Sequence, residues 1–188
     1  NDLFGTSYTI VDKIILPESV REIEDYAFSN SLIQALEMPE RMEKIGMWAF
    51  ENCSNLTSIR VPDGITELKA MTFAGCGRLE SAVLPEGLTS TGGSVFKSCS
   101  NLQSVTIPNS LNKINDYMFQ YCSKLTSIDL REGITYIGDA AFEQCAFTEV
   151  TVPGTATYVG EKAFKSITSL KSVYWNPTTC NNYGGYDV

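Results

Sequence analysis

The chain has 188 residues, of which 43% are hydrophobic and 19% charged, and its formal net charge is −8. This length fits one sizeable domain, and the acidic balance argues against nucleic acid or an anionic membrane surface as a partner, because phosphate binding needs clustered Lys and Arg. The sequence contains no histidine, which excludes Ser-His-Asp and Cys-His catalysis and histidine-ligated zinc.

Three residue types recur along the chain at steps of 22 to 24 residues, most often 23. The phenylalanines of this pattern are Phe4, Phe28, Phe50, Phe73, Phe96, Phe119, Phe142 and Phe164. The prolines of the pattern are Pro17, Pro39, Pro62, Pro85, Pro108 and Pro153, and its cysteines are Cys53, Cys76, Cys99, Cys122 and Cys145. A fixed period of this length indicates a repeat protein, in which each unit packs only on its neighbours. Because Phe4 falls in the middle of a unit, we expect an earlier repeat before Asn1.

Each unit begins with a predicted strand and continues with a shorter extended piece. In residues 56–62, LTSIRVP, the apolar residues Ile59 and Val61 alternate with polar ones, as in a strand with one buried face. The proline that follows ends the strand because it lacks an N–H group. The second piece is exemplified by residues 134–138, ITYIG.

The end of each unit reads as a single helical or 3₁₀ turn around the phenylalanine, as in residues 139–145, DAAFEQC. No unit could bury its apolar residues alone, so the units must stack. The sequence therefore predicts a curved, mainly β solenoid with short parallel strands and about seven to eight repeats of 22–23 residues. We expect the seven phenylalanines from Phe28 onwards and the five cysteines to form ladders in its core.

A cysteine that recurs at a fixed step could be a nucleophile, a metal ligand, half of a disulfide or a core residue. Side chains of one column point the same way, which disfavours both a disulfide and a tetrahedral metal site. A nucleophile would need a partner that lowers its pKa. We therefore interpret the column as buried, reduced and structural, since free cysteine is among the most buried residue types. Cys180 stands outside it, as a free thiol or one that pairs elsewhere.

Residues that point away from this core are the candidate binding residues. The turn preceding each phenylalanine carries Tyr26, Trp48, Met71, Ser94 and Tyr117. The first strand of each unit exposes Glu37, Arg60, Val83, Thr106, Asp129, Thr151 and Tyr174, next to a serine ladder. The second strand adds Tyr136 and Tyr158. Large aromatic residues are favoured at binding hot spots, and an ordinary solvated sheet face is the alternative for each column.

The repeat pattern is lost after Trp175. We therefore predict a repeat array over residues 1–176 and a tail, cap or linker over residues 177–188.

The segments LTSIRVPDGIT (residues 56–66) and YIGDAAFEQC (residues 136–145) carry a specific resemblance. The chain resembles the BspA-like leucine-rich repeats, also called the Treponema pallidum type, over about residues 4–176. The departures are local: Ser31 and Ile167 replace the cysteine, and Arg131 replaces the proline. The resemblance implies a leucine-rich-repeat solenoid.

The resemblance also implies a cell-surface or secreted adhesin that binds host or extracellular-matrix proteins, without catalytic residue, metal or cofactor. We expect a monomer that neither inserts into a membrane nor binds nucleic acid. No signal peptide is visible in the sequence. The alternatives are a structural spacer that presents another domain, a carbohydrate-binding repeat module and, least favoured, an enzyme.

Overall fold

A computed structural model describes residues 10–178, which form a solenoid of parallel strands. Phe4, Cys180 and most of the predicted tail lie outside the described residues. The first strands of the units are β1 (Val11–Ile15), β3 (Ile33–Glu37), β5 (Ser58–Arg60), β7 (Ser81–Val83), β9 (Ser104–Val105), β12 (Glu149–Val152) and β14 (Ser172–Trp175). The second strands are β2 (Glu22–Ile23), β4 (Lys44–Ile45), β6 (Glu67–Leu68), β8 (Ser90–Thr91), β10 (Lys113–Ile114), β11 (Tyr136–Ile137) and β13 (Tyr158–Val159).

Equivalent strands of adjacent units pair in parallel and in register. Ser58 pairs with Ser81, which in turn pairs with Ser104. The first strands form the sheets β1–β3, β5–β7–β9 and β12–β14, and the second strands form β2–β4, β6–β8 and β10–β11–β13. The predicted solenoid with short parallel strands is confirmed.

The core consists of residue columns that run from unit to unit. The rings of Phe28, Phe50, Phe73, Phe96, Phe119, Phe142 and Phe164 stack in that order, with centroids 5.3–5.7 Å apart and interplanar angles of 3–12°. The five ladder cysteines are buried beside them and are free of disulfides. Stacked rings of this kind add to the stabilisation that burial provides.

The predicted helical turn around each phenylalanine is wrong, because residues 10–178 contain no helix. Alternate N–H groups of this segment donate to the next unit instead: that of Tyr26 to Met47 O at 3.0 Å and that of Phe28 to Ala49 O at 2.8 Å. The groups between them bond three residues back, as Ala27 N does to Glu24 O. Since this part of the chain has no helix, none is long and apolar enough to cross a membrane.

Two residues of each turn segment adopt the left-handed conformation, one on either side of the phenylalanine. The first position holds Tyr26, Trp48, Met71, Ser94, Tyr117, Ala140 and Lys162, with φ of 49–61°. The second holds Asn30, Asn52, Gly75, Ser98, Tyr121, Gln144 and Ser166. A left-handed conformation costs a non-glycine residue roughly 1–2 kcal/mol, so the repeated hydrogen bonds to the next unit must outweigh this strain.

The unit in which Arg131 replaces proline has no first strand, since residues 126–130 form no ladder. The Arg131 guanidinium instead donates to Pro108 O at 2.7 Å and to Leu111 O at 2.8 Å in the preceding unit. The arginine therefore joins two units at the point where the sheet is interrupted.

We expect Arg131→Ala to lower the free energy of unfolding by about 1–3 kcal/mol, because two carbonyl groups lose a charged donor. Arg131→Lys should recover only part of this loss, since one ammonium lacks the spread of donors that a guanidinium has. Urea unfolding measures both changes, and an unchanged midpoint for Arg131→Ala would show that the contact contributes nothing.

Ser98→Gly should raise the free energy of unfolding by up to about 1 kcal/mol, because glycine adopts φ of +61° without steric cost. Ser127→Gly is the matched control, since Ser127 is not left-handed and glycine there only adds freedom to the unfolded chain. Thermal unfolding of the two variants should shift in opposite directions. A loss of stability in both would refute the proposed strain.

Candidate functional site

The candidate residues on the turn face form one continuous group of three. The rings of Tyr26 and Trp48 stack with centroids 4.8 Å apart and an interplanar angle of 6°. Trp48 Nε1 lies 2.8 Å from the Sδ of Met71. Tyr26 is 50% exposed, whereas Trp48 and Met71 are half-buried. We call Tyr26, Trp48 and Met71 the aromatic ridge.

The packing within the aromatic ridge decides which parts of its rings solvent can reach. Tyr26 covers one face of the Trp48 indole, and Met71 Sδ lies at its N–H edge, since the indole N–H points along the ring plane. A sugar that stacks on an aromatic residue needs a ring face, whereas a protein side chain can pack against an edge. Tyr26, which is 50% exposed, is the ring of the ridge that is most open to either kind of ligand.

Tyr117 belongs to the same column but is separated from the aromatic ridge by Ser94, which is buried. The Nζ of Lys97 lies 5.4 Å from the centroid of the Tyr117 ring and 6.0 Å from that of Tyr121. A cavity of about 310 Å³ opens beside Tyr117. Its lining residues are Tyr117, Gln120, Tyr121, Asp139, Ala140, Glu143, Glu161 and Lys162.

The first-strand candidates Arg60, Thr106, Asp129 and Tyr174 are all exposed, but they do not share one sheet. Arg60 is on β5, and Tyr174 lies on β14 opposite Thr151. Thr106 follows the end of β9, and Asp129 lies in the interrupted unit. These four side chains are therefore spread over separate parts of the surface.

Arg60 lies beside a second cavity, of about 330 Å³, near the amino-terminal end of the described residues. Its guanidinium is 3.5 Å from carboxylate oxygens of both Glu40 and Asp63. The cavity is also lined by Ile15, Leu16, Glu18, Leu36, Glu37, Met38, Pro39 and Pro62. Since both ion pairs are exposed, they hold the guanidinium only weakly and leave Arg60 accessible to a ligand.

The second-strand candidates Tyr136 and Tyr158 stack on each other with centroids 4.6 Å apart. The Tyr136 hydroxyl donates to Asp116 Oδ1 at 2.9 Å, and the Tyr158 hydroxyl donates to Asp139 Oδ1 at 3.1 Å. Burial, followed by the hydrogen bond to Asp116, holds the pKa of Tyr136 above its usual range. Both rings are half-buried and link neighbouring units, so they support the surface more than they offer a contact.

The cysteine column has a hydrogen-bonding role that the sequence analysis missed. The Sγ atoms of Cys53, Cys76, Cys99, Cys122 and Cys145 each donate to a phenylalanine carbonyl in the preceding unit, at 3.1–3.3 Å. Ser31 was the sequence signal for this role, because a hydroxyl donor replaces the thiol donor at that position. The Oγ of Ser31 lies 3.3 Å from Cys53 Sγ. Among residues 10–178, no set of three Cys, Asp or Glu side chains could hold a metal ion.

The sequence analysis also missed Gln120 and Glu143, which line the cavity beside Tyr117. They occupy the column directly after each phenylalanine, which holds Ser29, Glu51, Ala74, Lys97, Gln120, Glu143 and Lys165. Because the residue type in this column changes from unit to unit, periodicity gives no signal for it. Only the burial of Gln120, at 5% exposure, distinguishes it from a solvated polar residue.

The sequence model of the family described as BspA type leucine rich repeat region matches this chain over residues 3–125 and 92–186, with six copies. A leucine-rich repeat protein from Bacteroides ovatus is 31% identical over 87% of this chain, with a TM-score of 0.77, and this chain spans 42% of its length. The Treponema pallidum leucine-rich repeat protein is 26% identical over 87% of this chain and 69% of its own, with a TM-score of 0.62.

A leucine-rich cell surface protein from Faecalibacterium prausnitzii shares the fold at 21% identity and a TM-score of 0.64, over 89% of this chain and 60% of its own. No curated protein matches the chain. Since this chain spans less than two thirds of the Bacteroides and Faecalibacterium proteins, the match describes a repeat region within longer chains.

Stability at alkaline pH should depend on the buried thiols. Burial raises the pKa of Cys145 to about 12, against about 8.5 for an unperturbed cysteine. The unfolded chain therefore ionises this thiol first, so its stabilising contribution is complete below about pH 8.5 and is lost as the pH rises towards about 12. Within this window we expect the thiol of Cys145 to lower the free energy of unfolding by about 1.4 kcal/mol per pH unit.

Urea midpoints measured between about pH 8.5 and pH 10 test this prediction. Cys145→Ala should be less stable at neutral pH and should show a shallower decline with pH than the parent chain. Ser127→Ala, at an exposed position, should leave the decline unchanged. Equal slopes for Cys145→Ala and the parent would contradict the raised pKa.

Proposed function

The chain belongs to the BspA-type leucine-rich repeat family, and on that premise we propose that it is a non-enzymatic binding module that recognises a protein partner through its turn face. The finer proposal is an adhesin, secreted or at the cell surface, whose partner is a host or extracellular-matrix protein. It binds as a monomer, by many contacts across a rigid face and without a cofactor.

The observation that carries this proposal is the aromatic ridge. Tyr26 keeps half of its surface exposed although its ring is held by Trp48. Rings that the protein already holds in place lose little conformational freedom on binding, so more of the contact energy goes into affinity. Tyr and Trp are also enriched among the few residues that dominate binding energy.

Three observations favour protein binding over the other functions. A structural spacer has no need of a large exposed ring such as that of Tyr26, which continues into the half-buried Trp48 and Met71. Sugar stacking needs an open ring face, and Tyr26 already covers one face of Trp48. Catalysis is disfavoured by the complete lack of histidine in the sequence, which removes the usual general base.

The proposal predicts that Tyr26→Ala, Trp48→Ala and Met71→Ala together abolish binding to the partner. Label-free binding to a panel of matrix proteins and glycans provides the measurement. Loss of a hot spot of at least about 2 kcal/mol corresponds to a rise in Kd of at least about thirtyfold.

The matched control changes three exposed residues of the first-strand face, Arg60, Thr106 and Asp129, to alanine and should leave Kd within about threefold. Urea midpoints confirm that both variants are folded. Binding that survives in the ridge variant but fails in the control would place the partner on the first-strand face. Lack of binding to every protein and glycan would favour the spacer, and binding to glycans alone would favour the carbohydrate module.

A further inference from the structure

The first-strand side of the solenoid is interrupted at residues 126–130, which we call the open segment. The sheet β5–β7–β9 ends before this segment, and the sheet β12–β14 begins after it. None of the backbone hydrogen bonds found among residues 10–178 involves the open segment. In the preceding unit the residue equivalent to Thr126 is Gln103, and its N–H donates to Glu80 O at 3.0 Å. The open segment therefore lacks the bonds that join the other first strands.

The core is also less closed at this place than elsewhere in the array. One inward column of the first strands contains Leu36, Ile59, Ala82, Val105, Ile128 and Val150. Val105 and Ile128 are half-buried, whereas the other four residues are only 3–8% exposed. Val105 lies on β9, and Ile128 lies in the open segment that follows it. The missing hydrogen bonds thus coincide with solvent access to two apolar side chains.

The other two sides of the same junction are closed. On the second-strand side, β10 pairs with β11, and β11 pairs with β13. On the turn side, Phe119 N donates to Ala141 O at 2.8 Å, and the rings of Phe119 and Phe142 stack with centroids 5.6 Å apart. Units that are joined along two sides and open along the third can rotate about the joined sides without losing their core contacts.

One side chain bridges the junction at the end of the open segment. The guanidinium of Arg131 donates to Pro108 O and Leu111 O of the preceding unit. Hydrogen bonds from a charged donor are stronger than those between neutral groups. Because this contact lies directly after the open segment, further separation of the first strands must stretch it. Arg131 therefore restrains the distance between the two units at this corner.

We propose that the open segment is a hinge, at which the first-strand side of the solenoid opens and closes while the second strands and the phenylalanine stack stay paired. Local opening takes place where buried apolar contacts and backbone hydrogen bonds are few, and hinge motions occur in microseconds to milliseconds. The hinge changes the angle between the units that carry the aromatic ridge and those of β12 and β14. It does not depend on the partner in the proposed function.

Relaxation dispersion of side-chain methyl groups in NMR spectra separates a hinge from a static gap. In a hinge, the methyl groups of Val105 and Ile128 alternate between two environments, which adds an exchange contribution to their relaxation. Ile59, in the paired strand β5, is the matched control and should give a flat profile. Flat profiles for all three residues would mean a static gap. Equal dispersion in all three would mean a motion of the whole array, and either result would overturn the proposal.

Removal of the restraint should shift the hinge towards its open state. We expect Arg131→Ala to raise the population of this state at least about fivefold, because two hydrogen bonds from a charged group are lost. Dispersion at Val105 and Ile128 reports the change. Arg21→Ala is the matched control, since the Arg21 guanidinium donates to carbonyl groups of its own unit. Unchanged dispersion in Arg131→Ala, or an equal rise in both variants, would contradict the restraint.

Distances between pairs of nitroxide labels, measured by electron spin resonance, test the bending in a chain that keeps every junction contact. One pair, Arg60→Cys with Thr151→Cys, spans the hinge on the first-strand side. The other, Thr66→Cys with Thr157→Cys, spans the same units beside the second strands, and all four positions are exposed. Both pairs carry Cys180→Ser, so that the remaining native thiols are buried. The first distance distribution should be at least about twofold broader than the second, and equal widths would overturn the hinge.

Discussion

The structure depends on the hydrogen bonds that each turn segment donates to the next unit. The N–H of Phe28 reaches Ala49 O at 2.8 Å, and that of Phe50 reaches Thr72 O at 2.9 Å. Buried backbone donors must find acceptors, and here the acceptor lies about 22 residues ahead in the sequence. A unit is therefore complete only when its neighbour is in place, which makes the solenoid cooperative along one axis. These hydrogen bonds depend on the left-handed conformation of the turn residues, and for this reason its backbone strain is tolerated.

The hydrogen bonds between units also explain why each core column repeats one residue type and not merely an apolar residue of any kind. Because successive turns pair in register, each side chain packs on its own equivalent, and stacked phenylalanines satisfy this condition. Cysteine fits the neighbouring column because it is nearly apolar and carries a donor for the phenylalanine carbonyl, as Cys99 does for Phe73 at 3.2 Å. Alanine would lack the donor, and serine would bury a more polar group. Serine stands in this column at Ser31, which is only half-buried.

The sequence predicted those features that follow from spacing alone. The columns of phenylalanine and cysteine and the parallel strands all result from one period, which a single sequence displays. The turn conformation could not be predicted in this way, since DAAFEQC has ordinary helical character and its actual bonds go to a neighbouring unit. The same limit applies to Tyr136. The sequence indicated that it lies at an outward strand position, but it did not indicate the hydrogen bond to Asp116, twenty residues earlier. Interactions between units decide both outcomes, and local sequence carries no record of them.

The outward columns follow a different logic from the inward ones. An inward residue must match its equivalents on both sides, whereas an outward residue is constrained only by the side chains that flank it. Ser94 and Ala140 are both small residues in the turn column, yet their surroundings differ: Lys97 lies over the ring of Tyr117 next to Ser94, while a cavity opens at Ala140. A regular solenoid gives every unit the same backbone, so the backbone cannot by itself distinguish one ligand from another. Specificity in such a module must therefore come from the positions at which an outward column is broken.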